Sequence, residues 1–332
     1  MLIGAHVSSA GGPLPALERG AAIGADVIQV HIGSPRVWRQ PAYGHDVLAG
    51  VAGAVASHAK VRGIFCHASY LINLGTGDRV LREKSLGCLV SNLEVASRIG
   101  SCGLVLHIGS HLGAGLDEVL ASVAGDLVSS LDAVSESLEK RCCPLLLENT
   151  AGAGGTIGRS FEELARVLEA AGGDDRLGVC LDTQHLFASG VTYETLEAAD
   201  TAVSSLDRAL GLERLFCLHV NDSKVPAGSN RDRHENLGEG AIGRRALGSL
   251  LGHPRLQDVP AILEVPGREK KGPRADDLAT ARAIHETGRR RWRAWLRATT
   301  PPPPPGLPPV TGGHRGSRRD PAHAGSPSQQ ER

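Results

Sequence analysis

Short apolar segments recur along the chain, each bounded by glycine, proline or polar residues. Continuous apolar runs of this length are typical of strands that are buried on both faces, as in parallel sheets. Amphipathic stretches at 81–99, 116–138, 161–171 and 192–210 predict helices between them. Eight strands are expected, at 2–7, 26–32, 63–67, 104–107, 145–148, 179–182, 215–219 and 261–264.

Strands that alternate with helices eight times predict an α/β fold of the (β/α)8 or TIM-barrel type, in a single domain spanning 1–299. An open doubly wound sheet is the structural alternative. That fold usually carries a glycine-rich phosphate turn after its first strand, and residues 7–12 do not match the dinucleotide-binding pattern. The barrel is therefore the preferred interpretation.

The C-terminal part of the sequence changes character. A helix is predicted over 275–298, ending in the basic segment 289–297, which we interpret as a solvated helix face, with a nucleic-acid contact as the alternative. Prolines at 301–305 end this helix, and the Pro-, Gly- and Arg-rich residues 300–332 lack the composition of a core. We expect a disordered tail there.

Composition narrows the class of protein. Hydrophobic residues make up 41% of the 332 residues and aromatic residues only 3%, so Leu, Val, Ile and Ala must fill the core. Lys plus Arg and Asp plus Glu both total 36, so an anionic partner must meet a local patch of positive charge. The seven cysteines include no CxxC pair, and no long apolar stretch occurs. A soluble, cytoplasmic protein with buried reduced thiols is expected, without membrane contact.

Histidines and carboxylates follow six of the predicted strands. The carboxyl ends of barrel strands are where such folds carry their chemistry. Three further candidates are assigned to loops: His185, Asp232 and His234. The last two are two residues apart in an extended segment, so their side chains can point the same way. The nine candidate ligands are His67, His107, Glu148, Asp182, His185, His219, Asp232, His234 and Glu264.

Five imidazoles and four carboxylates suit up to three metal ions, because catalytic zinc takes about three protein ligands. The mixture fits Zn²⁺ and also accepts Mn²⁺ at one site. Three divalent ions and four carboxylates leave a positive centre that attracts a phosphodiester. Such ions can lower the pKa of a bound water, hold the hydroxide for attack at phosphorus and stabilise the leaving oxygen. Each residue alone is more often an ordinary hydrogen-bonding side chain, but their shared position argues for a site.

The sequence resembles the endonuclease IV family, also called type 2 apurinic/apyrimidinic endonucleases. The resemblance spans about residues 2–267 and follows the family's order of motifs. Its most distinctive segments are GAHVS at 4–8, HASYLINL at 67–74, HIGSHL at 107–112, LENTAG at 147–152, CLDTQH at 180–185, HVNDSK at 219–224, GSNRDRHE at 228–235 and LGEG at 237–240.

The resemblance implies a trinuclear zinc barrel of base excision repair, which cleaves duplex DNA 5′ to an abasic site, leaves a 3′-hydroxyl and a 5′-deoxyribose phosphate, and trims blocked 3′ ends. His67, His107 and Glu148 would hold the first ion. Glu148 would bridge, with a metal-bound hydroxide, to a second ion held by Asp182, His219 and Glu264. The third would be held by His185, Asp232 and His234.

The resemblance also implies DNA contacts. Arg36, Tyr70 and Leu71 match the family's side chains that enter the duplex at the lesion, although Tyr70 and Leu71 could instead anchor a loop. Lys224, Arg231 and Arg233 flank the expected third site, and Arg36 and Arg39 follow the second strand, so they could contact phosphates. We interpret His6 and His111 as polar groups of the pocket. The sequence departs from the usual family pattern at Val30, His31, Ala153, Gln184 and Val265.

Two other functions remain open on the sequence. A xylose-isomerase-like sugar isomerase or epimerase would use Glu148, Asp182, His219 and Glu264 around one divalent ion, leaving the other five candidates without a role. A barrel that binds damaged DNA without cutting it is the non-enzymatic alternative. The resemblance suggests a monomer that acts on duplex DNA with abasic sites or blocked 3′ ends.

Overall fold

Eight parallel strands close into a barrel in the computed structural model, which describes residues 1–299. The tail expected at 300–332 lies outside the described residues. The two-residue strands β8 and β9 form a separate antiparallel hairpin above the barrel. The strands are β1 Ile3–His6, β2 Ile28–His31, β3 Ile64–His67, β4 Leu104–Leu106, β5 Leu145–Glu148, β6 Leu177–Asp182, β7 Leu215–Val220, β8 Asp222–Ser223, β9 His234–Glu235 and β10 Ala261–Leu263.

The predicted TIM barrel is confirmed, and the open sheet is wrong. β1 pairs in parallel with β2 on one side and with β10 on the other, so the sheet has no free edge. Each of the eight predicted apolar segments forms one barrel strand. Parallel register between neighbours, for example His31 beside His67 and Asp182 beside His219, places the carboxyl ends of the strands at one mouth.

Helices connect the strands around the outside of the barrel. The sequence analysis did not single out α1, α2, α6 or α8. The predicted helix at 192–210 begins at Leu196, because the Thr195 side chain accepts a hydrogen bond from the backbone N–H of Ala198 and caps it. The helices are α1 Pro13–Ala22, α2 His45–Ser57, α3 Arg79–Arg98, α4 Leu116–Leu138, α5 Phe161–Ala170, α6 Thr183–Ala188, α7 Leu196–Leu210, α8 Gly243–Leu251 and α9 Ala275–Thr299.

Aliphatic side chains fill two regions of the core, as the low aromatic content predicts. One region lies inside the barrel and includes Phe65, Val105, Leu146 and Ile262. The larger one lies between the strands and the surrounding helices. Burial on both faces explains why the strands read as continuous apolar runs and not as alternating patterns.

Helix α9 corrects the interpretation of 289–297 as a simple solvated face. Trp292 is buried, and its indole N–H donates a 2.7 Å hydrogen bond to the carbonyl of Ser249 in α8. Gly288 lies so close to α8 that an added Cβ would be 1.9 Å from the carbonyl oxygen of Gly248. The segment therefore packs on the domain through one side and exposes four of its five arginines on the others, whereas Arg291 is half-buried.

Six of the seven cysteines are buried free thiols, as expected. Cys102 is an exposed free thiol, so the expectation of burial is wrong at that position. Among residues 1–299, no helix is both long and apolar enough to cross a membrane.

Candidate metal centre

The barrel mouth brings all nine candidate ligands into one connected cluster. Three overlapping groups have donor atoms within 4.8 Å of one another: His67, His107 and Glu148; Glu148, Asp182, His219 and Glu264; and Asp182, His185 and His234. Asp232 lies beside the third group, with its carboxylate oxygens 3.4 Å from His185 Nε2 and 3.2 Å from His234 Nε2. Glu148 and Asp182 therefore link the three groups into a chain.

The first group is built on Glu148 at the end of β5. Its Oε2 atom lies 3.3 Å from Nε2 of His67 and 3.3 Å from Nε2 of His107. The Nδ1–H of His67 donates to the Ala68 carbonyl at 2.8 Å, which leaves the lone pair of Nε2 directed at the cluster. This is the ring orientation that a metal ligand needs.

The second group surrounds His219 on β7. His219 Nδ1 lies 2.9 Å from Glu148 Oε1 and 3.3 Å from Glu264 Oε2. On the opposite side of the ring, His219 Nε2 donates to the side-chain oxygen of Gln29 at 2.9 Å. Gln29 also donates to Glu264 Oε1 at 2.7 Å, so one amide orients two candidate ligands.

The third group depends on a helix that the sequence analysis assigned to a loop. His185 lies in α6, which begins directly after β6 because Asp182 Oδ1 accepts the backbone N–H of His185 at 2.8 Å. The His185 Nδ1–H donates to the Asn149 carbonyl at 2.9 Å, which leaves Nε2 facing Asp232. Asp182, a candidate ligand that also caps α6, thus fixes the position of His185 as well as its own.

The β8–β9 hairpin carries Asp232 and His234 over the mouth. The segment that follows β9 is held by the buried carboxylate of Asp222, which accepts backbone N–H groups of Gly238 and Ile242 at 2.8 and 2.9 Å. Gly240 is required at this crossing, since an added Cβ would lie 2.5 Å from both Asp222 Oδ1 and the Ser223 carbonyl. The LGEG segment therefore positions the loop that supplies two donors.

Burial and charge oppose each other strongly in the cluster. Burial disfavours the charged form of Glu148, but His107, His219 and His185 outweigh it and hold the pKa of Glu148 well below its ordinary value. Burial opposes a charge on His219 too, yet Glu264 and Glu148 raise its pKa to about 10. Burial lowers the pKa of His107 to about 4. The buried carboxylates thus demand compensating positive charge.

The donor set fits divalent metal ions. His234 Nε2 is buried without a hydrogen-bond partner among residues 1–299, although it lies 3.8 Å from Asp182 Oδ2. A ring nitrogen directed at carboxylates without hydrogen-bond geometry is typical of a metal ligand. Cys180 and Cys217 also lie near His219, but burial raises the pKa of the Cys180 thiol well above its ordinary value, so that thiol stays neutral and is a poor ligand.

Three amide side chains of the centre were missed by the sequence analysis. They are Gln29, Asn149 and Asn221, all buried. Asn149 Oδ1 accepts the backbone N–H of Asp182 at 2.6 Å, and Asn221 donates to Asp182 Oδ2 at 2.6 Å. A signal existed for Gln29, since it is a polar residue within the apolar strand β2.

The other histidines take different places. His6 lies at the edge of the cluster, with Nδ1 3.1 Å from Glu264 Oε1. His31 lies between His6 and Tyr70, with ring centroids 4.6 and 5.1 Å away, tilted against the first ring and edge-to-face with the second. Burial lowers the pKa of His31 to about 2, so its ring is neutral. His111 accepts backbone N–H groups of Gly113 and Gly115 and so stabilises its own loop.

The candidate DNA-contact residues surround the mouth. Tyr70 is 51% exposed, its ring lies 5.2 Å from that of His67, and with Leu71 it lines a cavity of about 440 Å³ beside the cluster. The loops after β2 and β3 are joined by a 3.0 Å hydrogen bond from the Tyr70 N–H to the Pro35 carbonyl, next to Arg36. Arg36, Arg39, Lys224, Arg231 and Arg233 are all exposed.

The sequence and the fold both match known proteins. Residues 17–294 match the xylose isomerase-like TIM barrel family. "Probable endonuclease 4" of Halorhodospira halophila is 39% identical over 265 residues, which cover 80% of this chain and 88% of that protein. "Probable endonuclease 4" of Haloarcula marismortui is 36% identical, covering 81% and 94%.

Solved structures agree with this likeness. Endonuclease IV from Thermus thermophilus superimposes with a TM-score of 0.72 at 36% identity, covering 86% of this chain and all of that one. A D-tagatose 3-epimerase-like protein superimposes with a TM-score of 0.62 at 19% identity, which shows a shared fold alone.

Proposed function

Because the chain belongs to the endonuclease 4 proteins of the xylose isomerase-like TIM barrel family, we propose that it is a metal-dependent apurinic/apyrimidinic endonuclease of base excision repair. It hydrolyses the phosphodiester bond 5′ to an abasic site in duplex DNA, leaves a 3′-hydroxyl and a 5′-deoxyribose phosphate, and trims blocked 3′ ends. Its monomeric state and cytoplasmic location stay predictions.

The observation that carries this proposal is the sharing of Glu148 between two donor groups at the barrel mouth. Glu148 Oε2 faces His67 and His107, while Glu148 Oε1 faces His219. A single-ion isomerase needs only one such group. The extra donors around Glu148 and Asp182 support three ions, with Zn²⁺ favoured by the mixture of imidazole and carboxylate and Mn²⁺ acceptable at one site.

Bound divalent ions would supply the activation of water and the stabilisation of negative charge on the reacting phosphate. The chain's own residues would have two tasks. Glu148 would contribute to two ion sites, since one of its oxygens faces His67 and His107 and the other faces His219. His67, His185 and His219 would each hold an ion through one ring nitrogen, and their rings are oriented because backbone carbonyls or Gln29 accept a hydrogen bond from the other ring nitrogen.

The rim of the mouth supplies recognition of the DNA. Tyr70 and Leu71 stand beside the cavity on a loop tied to the segment that carries Arg36. An abasic site lacks a base, so side chains can fill the gap at a lower unstacking cost than in intact DNA. Arg36, Lys224, Arg231 and Arg233 are placed to contact phosphates on either side.

Incubation with a duplex that carries one abasic analogue tests the proposal. We expect a single incision on the 5′ side of the lesion, abolished by a chelator and restored by Zn²⁺. Glu148→Gln keeps the shape of the side chain but removes its charge, so incision should fall by at least about a hundredfold, since a metal-bridging charge contributes several kcal/mol. The exposed Glu169→Gln variant of α5 is the matched control and should cut normally.

Metal content separates the alternatives. About three ions per chain support the endonuclease, whereas one ion together with sugar isomerisation would support the isomerase. Tight binding of abasic DNA without cleavage in the metal-loaded protein would support the recognition module and refute the proposal.

A further inference from the structure

The last turns of α9 carry a concentration of arginine that the proposed reaction does not use. Between Gly288 and Thr299 the sequence has five arginines and no acidic residue, in a chain whose formal net charge is zero. Those arginines are Arg289, Arg290, Arg291, Arg293 and Arg297.

Packing orients four of these side chains toward solvent and leaves Arg291 half-buried. The apolar side of α9 is held against α8 by Trp292 and by the close approach of Gly288 to Gly248. Arg289, Arg293 and Arg297 are spaced four residues apart, so they form one stripe on a different side of the helix. All three are exposed, and none forms an ion pair within residues 1–299.

The beginning of α8 extends this positive charge. Arg244 and Arg245 are exposed, and together with Arg291 they line a surface cavity of about 480 Å³ between the two helices. Arg291 donates to the Arg245 backbone carbonyl at 3.0 Å, which anchors the Arg291 guanidinium at the beginning of α8. Burial and the charge of Arg245 lower the pKa of Arg291, against an opposing effect of Glu197.

Little negative charge offsets the arginines. The only ion pair that the described structure gives to Arg244, Arg245 or the five arginines of α9 is the exposed contact of Arg290 with Glu286 at 3.7 Å. Exposed pairs of this kind contribute little and are screened by salt. The group is therefore free to bind an external anion.

The arginine group adjoins the segment that follows the metal centre. The aliphatic part of Arg244 packs on Gly238, where an added Cβ would lie 2.5 Å from Arg244 Cγ. Gly238 belongs to the turn, held by Asp222, that continues directly from His234. Positive charge thus continues from one edge of the mouth onto α8 and then α9.

We propose that this arginine surface, formed by Arg244, Arg245, Arg289, Arg290, Arg291, Arg293 and Arg297, is a second DNA-binding surface that contacts the phosphate backbone of duplex outside the lesion. The proposal rests on the proposed function for its partner class, DNA. It assigns the surface to undamaged duplex, which the metal centre does not recognise.

The spacing of the stripe suits a phosphate backbone. Four helical residues rise about 6 Å, which is close to the roughly 7 Å along the axis between alternate phosphates of one strand. Guanidinium groups bind phosphate oxygens through two parallel hydrogen bonds, and such contacts are independent of sequence. A protein with no net charge needs a local surface of this kind to stay on DNA between lesions.

Binding of a labelled undamaged duplex to the full, metal-loaded chain over a range of NaCl concentrations tests the inference. The test variant combines Arg289→Gln, Arg293→Gln and Arg297→Gln. A control with the same loss of charge combines Lys60→Gln, Arg62→Gln and Lys140→Gln, exposed positions before β3 and β5 at the opposite end of the barrel. A third variant replaces the three α9 arginines with lysine.

The stripe variant should bind undamaged duplex at least about tenfold more weakly, and its salt slope should fall by two to three, because each phosphate contact contributes about 0.9. The control and the lysine variant should keep most of the wild-type slope. At saturating abasic duplex, the stripe variant should incise at the wild-type rate.

An unchanged salt slope in the stripe variant, or an equal loss in the control, would overturn the inference. The inference would also be overturned if the stripe variant lost binding to RNA or to phosphatidylserine vesicles but not to DNA, since that result assigns the surface to another partner. Failure of wild-type incision would instead refute the proposed function, while leaving the binding measurement interpretable.

Discussion

Gln29 offers a sharp test of how the centre is oriented, because it is fully buried and does not itself belong to any donor group. Its amide accepts the Nε2–H of His219 at 2.9 Å and donates to Glu264 Oε1 at 2.7 Å and to His6 Nδ1 at 3.0 Å. Gln29→Leu removes all three contacts while nearly preserving side-chain volume.

The expected loss follows from those contacts. Side chains that orient metal ligands typically contribute a factor of about 10 to 100 in metal affinity, or about 1.4 to 2.8 kcal/mol. Both His219 and Glu264 belong to the second donor group, and neither belongs to the first. Gln29→Leu should therefore weaken one ion by this factor and leave the ion near His67 and His107 unchanged.

Competition with a chromogenic zinc chelator measures the separate affinities. Gln257→Leu is the matched control, since Gln257 also makes three hydrogen bonds, to Leu251, His253 and His285, but lies before β10, at the opposite end of the barrel from the cluster. Both variants should lose stability, because buried polar groups are left unpaired. Only Gln29→Leu should lose metal affinity, and excess Zn²⁺ should restore its incision. Wild-type affinity at every site in folded Gln29→Leu would refute the reasoning.

Three further predictions concern metal removal, helix packing and the pocket. A chelator should lower the melting temperature measured by scanning fluorimetry, and Zn²⁺ should restore it. The reason is that a metal ion whose free concentration is a thousand times its Kd stabilises the folded state by about 4 kcal/mol. An unchanged melting temperature after chelation would contradict this. Gly288→Ala should reduce the free energy of unfolding by about 1–3 kcal/mol, since the new Cβ meets the Gly248 carbonyl. Urea denaturation measures this change. An increase in the free energy of unfolding would show that the helices do not cross so closely. His31→Phe should keep full metal content and incise within about twofold of wild type, because half-buried, neutral His31 belongs to no donor group. Loss of an ion would show that it is a ligand.

Much of the fold was determined by local sequence. Eight apolar runs predicted eight strands, because burial on both faces requires nearly every residue to be apolar, and each run forms one strand of the barrel. The helix at 116–138 has the predicted bounds. The start of α7 and the whole of α6 were not predicted, since side-chain caps at Thr195 and Asp182 set them and such caps are weak signals.

The sequence by itself also determined which residue types end the strands, and so it predicted the nine donors as a set. Tertiary structure decided how they divide: the curvature of the closed barrel places Glu148 between His107 and His219, although these residues are far apart in the chain. It also decided the orientation of three of the rings, those of His219, His185 and His67, through Gln29, Asn149 and Ala68. A sequence pattern shows which side chains reach one mouth, whereas distances and hydrogen bonds between separate strands exist only once the barrel has closed.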